Sequence, residues 1–87
     1  MENELYSVMI IDTLNDCEER CQLGKRHYGC VFWENRQGEL YNSVYYANDL
    51  FEAERQVRES VQKIEEVENN FIAFVDGRLF DQKGFVE

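Results

Sequence analysis

The stretch NDLFEAERQVRESVQKIEEVENN, residues 48–70, reads as one long amphipathic helix. Leu50, Ala53, Val57, Val61, Ile64 and Val67 recur at spacings of three and four, which places all six on one helical stripe. Glu52, Arg55, Glu59, Gln62, Lys63 and Glu66 fall on the other faces, and neither Gly nor Pro interrupts the run. Asp49 followed three residues later by Glu52 has the form of a capping box. In that arrangement the Asp carboxylate accepts from a free backbone N–H and the Glu reaches back to the cap. Glu54 with Arg58 and Glu59 with Lys63 are favourable pairs four residues apart. A helix with one apolar stripe needs a surface to bury it against, and most of the remaining chain is patterned as strands.

Directly after it, the apolar run 71–75 is followed by Asp76-Gly77 and then by residues 78–81. An Asp-Gly pair between two apolar runs is a strong hairpin signal, because the tight turn needs positive φ at both central positions. Before the helix, residues 29–34 and 39–47 read as two strands joined by the turn Asn35-Arg36-Gln37-Gly38. The second of these strands carries Tyr41 and Tyr45 on one side, and tyrosines of this kind serve equally as sheet cover or as interface residues. Residues 5–11 read as a first strand, since Val8-Met9-Ile10-Ile11 is apolar on both faces. Asp12 or Thr13 is then the expected cap of a short helix over residues 13–23, with Leu14, Cys17 and Cys21 on one face and Gly24 at its end. Lys25 and Arg26 follow that helix end, where positive charge is favoured. The expected order is β-α-β-β-α-β-β in a single domain. The expected class is α+β, a two-layer sandwich of a mainly antiparallel sheet with the long helix across it.

Eighteen acidic residues stand against nine basic ones, a net charge of −9. Direct binding to nucleic acid phosphates or to an anionic membrane needs the opposite sign. Attraction to a basic protein surface is what this balance favours. No run is long and apolar enough to span a bilayer, and the first residues lack a secretion signal. Three cysteines, an odd number, fit a reducing compartment, and the cytoplasm is the expected location.

Cys17, Cys21, His27 and Cys30, spaced C-x3-C-x5-H-x2-C, form the one candidate zinc set. The competing reading treats the cysteines as small buried hydrophobes, because the first pair shares the apolar face of the short helix with Leu14. The second reading carries more weight, so no metal or other cofactor is expected. His27 with Cys30 lacks a Gly-rich oxyanion turn, and there is no phosphate-binding, dinucleotide or calcium-loop motif. An enzyme is therefore not expected.

The acids themselves are the better candidates. Glu65, Glu66 and Glu68 sit at a helix C-terminus, where the dipole disfavours them. Asp16, Glu18 and Glu19 crowd the short helix. With Tyr41 and Tyr45 they make up the expected partner-binding residues. In size, acidity and α+β make-up the chain resembles small phage-encoded inhibitors of the anti-CRISPR and anti-restriction type, some of which mimic DNA. That resemblance lies in overall make-up and carries no motif. It implies an inhibitor that binds a basic, nucleic-acid-binding protein such as a nuclease, with carboxylates in place of phosphates. The alternatives are a homodimeric structural or regulatory module, in which a second copy buries surplus apolar surface, and a zinc-stabilised adaptor.

Overall fold

The computed structural model describes residues 4–24, 26–67 and 70–86, with the backbone alone for 4–6 and 65–67. The chain order is α1 (Glu4–Gln22), β1 (His27–Glu34), β2 (Leu40–Ala47), α2 (Leu50–Val67), β3 (Phe71–Val75), β4 (Arg78–Asp81) and β5 (Gly84–Phe85). The strands form one antiparallel sheet in the order β2-β1-β3-β4-β5. The α+β class, the antiparallel sheet and the long helix across one face are as the sequence pattern indicates.

The first element differs. Residues 5–11 are not a strand: they are the first half of α1, so Asp12 and Thr13 lie inside a helix rather than capping one. The observed order is α-β-β-α-β-β-β. The reason lies in the sheet. Alternation along β1 and β3 sends Val31, Ala73 and Val75 to one side and Tyr28, Cys30, Phe32, Ile72 and Phe74 to the other. Both sides are apolar, so both need cover. As a helix, α1 lays Met9, Ile10, Leu14, Cys17 and Cys21 on the second side in one stripe. The β-branched residues Val8, Ile10, Ile11 and Thr13 favour a strand locally, and this tertiary burial overrides them.

On the first side, α2 buries Ala53, Val57, Val61 and Ile64 against Val31, Ala73, Val75 and Phe80. Gly29 allows the close approach: a Cβ there would stand 2.2 Å from Val57 Cγ2. The Asp49 carboxylate accepts from Glu52 N at 2.8 Å and caps the helix, while the Glu52 side chain turns to Arg55 and Gln56 instead of reaching back. The Glu54–Arg58 pair forms at 3.9 Å, whereas Glu59 pairs with Arg55 rather than Lys63.

Both turns have the expected chemistry. Asp76 and Gly77 take φ values of 51° and 81°, the left-handed pair that a two-residue hairpin needs. Asn35 Oδ1 accepts from the backbone of Gln37 and Glu39 and closes the β1–β2 loop. Phe85 docks edge-on against Phe80 at 5.2 Å, and so ties down the last strand.

Candidate functional site

α1 brings Asp12, Asp16, Glu18 and Glu19 to the surface, all exposed. Their exposure follows from the stripe that α1 buries: residues 9, 10, 14, 17 and 21 face the sheet, which turns 8, 12, 15, 16, 19 and 23 outward. Among the described residues none of these four carboxylates takes part in an ion pair. The contrast with α2 is sharp, because there Glu52 and Glu59 pair with Arg55, and Glu54 pairs with Arg58. The Arg55 guanidinium, hydrogen-bonded to Glu52, holds that carboxyl below its usual range. Between α1 and β2 runs a shallow groove lined by Asp16, Cys17, Arg20, Asn42, Val44 and Tyr46.

Apolar side chains stand among these acids. Val8 is 54% exposed, Ile11 58% and Leu23 82%. The outer surface of α1 is thus acidic and apolar together, a composition that suits a partner presenting both basic and apolar groups.

The other residues singled out from sequence fall elsewhere. Tyr41 stacks on Trp33 at 5.7 Å and its hydroxyl donates to Glu39, while Tyr45 packs half-buried beside the α2 core. Both lie on the α2 side of the sheet, so they form no common surface with Asp16, Glu18 and Glu19. Glu65 and Glu66 belong to the last turn of α2 by their backbone, but their side chains, and all of Glu68, lie outside the described residues.

The cysteine–histidine set does not come together. Cys17 and Cys30 are buried in the core between α1 and the sheet, and Cys21 lies at its rim. His27 Nδ1 is 2.7 Å from Asp76 Oδ2, and the other Asp76 oxygen accepts from Tyr28 N at 3.0 Å. His27 therefore ties the start of β1 to the β3–β4 turn. Among the described residues no group of three or more His, Cys, Asp or Glu is arranged to hold a metal ion. Burial pushes the Cys30 thiol up to about 12, and it pushes Cys17 up as well, against a partly offsetting hydrogen bond from the Tyr46 hydroxyl at 3.7 Å. Cys21 is also raised, by burial and by the carboxylates of Asp76 and Glu18. Burial thus favours the protonated form of these thiols, the reverse of what a nucleophile requires.

Sequence reasoning missed the apolar residues on the outer side of α1, because Val8 and Ile11 had been placed on a buried strand. It also missed Leu79 and Val86, 44% and 47% exposed on the last strands. No helix among the described residues is long and apolar enough to cross a membrane. Comparison with protein-family models, with curated proteins and with solved structures gave no match.

Proposed function

We propose that this chain is a small acidic interaction module that docks on a basic protein surface. The target class is a nucleic-acid-binding protein such as a nuclease, and the carboxylates occupy the places of phosphates, as in the phage-encoded inhibitors the chain resembles. The observation that carries this reading is the set of exposed carboxylates on α1 without ion-pair partners among the described residues. Carboxylates without ion-pair partners among the described residues keep their field for a partner, whereas Glu52, Glu54 and Glu59 of α2 are paired within their own helix. The proposal gives the chain no catalytic step. A reducing, cytoplasmic location accords with three cysteines that form no disulfide.

The test compares two sets of substitutions in capture from host lysate at low and high salt. One neutralises α1 (Asp16→Asn, Glu18→Gln, Glu19→Gln), the other the end of α2 (Glu65→Gln, Glu66→Gln, Glu68→Gln). The expected partner is a nucleic-acid-binding protein, released by salt and displaced by DNA. Its affinity should fall about tenfold or more in the α1 set. A partner whose affinity neither set changes at physiological salt overturns the reading.

A further inference from the structure

The register lines up Val44, Cys30, Phe74 and Leu79 from the first four strands of the sheet on the side that α1 covers, and Val86, just past β5, extends the row through its backbone hydrogen bond to Leu79. From Cys30 outward to β5, exposure rises along this row. Cys30 is fully buried and Phe74 partly so, while Leu79 and Val86 are left 44% and 47% exposed. The cause is width. Five strands spaced by about 4.8 Å span roughly 19 Å, and one helix with its side chains covers about 10 Å. α1 lies over β2, β1 and β3, and leaves β4 and β5 bare.

The opposite side of the same two strands is closed. There the Arg58 guanidinium lies 5.1 Å from the Phe80 ring centre and that of Arg78 lies 4.2 Å from the Phe85 ring centre. Arg58, on α2 itself, and Arg78, on β4, complete the cover of these two rings. On the α1 side Leu79 and Val86 stand exposed. The strip is bordered by carboxylates, by an exposed apolar side chain and, at the β4–β5 turn, by Lys83, whose backbone N–H donates to Asp81 Oδ1 at 2.8 Å. Asp81 follows Leu79 by two residues and so shares its side of the sheet. Glu18 and Ile11 lie on the flank of α1 turned away from the β2 groove, half a turn around the helix from Asp16 and Arg20.

We propose that the open strip over β4 and β5, beside α1, is a docking surface for an amphipathic basic helix of another protein, its apolar face on Leu79 and Val86 and its Lys or Arg residues toward Glu18 and Asp81. This rests on the acidic-module reading and names the kind of segment that the module takes. Charge decides the occupant. A second copy of a chain of net charge −9 would bring carboxylates against carboxylates, whereas a basic helix brings their complement. Geometry decides its form: β5 is two residues long and offers little backbone for strand addition, while the strip is one helix wide.

The probe is a short helical model peptide with Leu on one face and Lys on the other, set against its scrambled isomer and an oligolysine of equal charge. In an amide-resolved NMR titration of the whole chain, the shifts should cluster in residues 72–86 and along the Ile11–Glu18 flank. Leu79→Thr with Val86→Thr keeps strand-compatible residues, so its thermal midpoint should move only a few degrees, and its peptide affinity should fall about tenfold or more. Shifts confined to α2, or a scrambled peptide that binds as well as the amphipathic one, would overturn the proposal. So would self-association in sedimentation that the double substitution abolishes, since a second copy would then fill the strip. If the double variant binds peptide like the unaltered chain while neutralising α1 still releases the lysate partner, this inference fails and the acidic-module reading stands. If neither set of changes affects any binding, both fail.

Discussion

α1 and α2 cover the same sheet from opposite sides, and they do it differently. α2 buries Ala53, Val57 and Val61 completely, sits against a glycine, and holds Glu52, Glu54 and Glu59 in ion pairs with its own arginines. Among its described residues α1 has one fully buried side chain, Cys17, and it exposes Val8, Ile11 and four carboxylates that have no ion pair among the described residues. Cores as dense as that under α2 are costly to alter, whereas a layer with shallow contacts is free to carry surface chemistry. Under the function proposed above, the difference assigns stability to one helix and recognition to the other.

The largest expected effect tests the α2 side. Gly29→Ala puts a methyl 2.2 Å from Val57 Cγ2, beside a β-branched side chain with no free rotamer to retreat to. Overpacking of this kind costs about 3 kcal/mol. Val57→Ala alone opens a void and costs about 2 kcal/mol. In the double variant the new methyl fills part of that void, so urea midpoints should show a favourable coupling of about 1–2 kcal/mol. Additive losses would mean that the helix does not rest on Gly29, and the contrast with α1 would lose its basis.

The second test addresses the α1 side, whose core holds buried thiols where the α2 core holds none. Burial raises Cys30 from an ordinary value of 9.0, and Tyr46 from 10.0, to about 12 each. With the folded value above the unfolded one, the unfolded chain loses these protons first as the pH rises. Their contribution to stability is therefore complete below about pH 9 and is lost as the pH climbs through 9 toward 12. Thermal midpoints should be flat up to pH 9 and fall beyond it. At neutral pH a thiol reagent should modify Cys21 first, and then Cys17 and Cys30 together as α1 opens. Native labelling of Cys30 as fast as Cys21 would show that this layer is not closed at all.

How far each side can be read from sequence follows from the range of the signals. α2, the Asn35 loop and the Asp76-Gly77 turn are encoded within a few residues: a stripe, a cap, a side chain bonding its own backbone, a pair that accepts positive φ. The first half of α1 is not. Val8-Met9-Ile10-Ile11 is apolar on every side and largely β-branched, and only the second face of a sheet formed by residues 27–85 makes it a helix. Asp16, Glu18 and Glu19 were legible as an acidic group, but their separation from Tyr41 and Tyr45 depends on which side each element takes. Leu79 was legible only as a strand residue. In a strand of four residues, alternation cannot say which face stays bare.

The smallest expected effect also separates the two helices most directly, because the same chemical change should have opposite signs on each. Glu19 lies in the last turn of α1, near the negative end of the helix dipole, and has no ion pair among the described residues. Glu19→Gln removes an unfavourable charge and should raise stability by about 0.3–1 kcal/mol. Glu52 lies in the first turn of α2, where the dipole favours a negative charge and Arg55 pairs with it. Glu52→Gln should therefore lower the urea midpoint, and the pairing should weaken as salt is added. If α1 is kept for recognition, Glu19→Gln should also be the variant that binds its basic partner less well, a gain in stability matched by a loss in affinity. A Glu19→Gln chain no more stable than the original would mean that its charge is already compensated within the chain. The acids of α1 would then be held as those of α2 are, and the division of labour between the two helices would not stand.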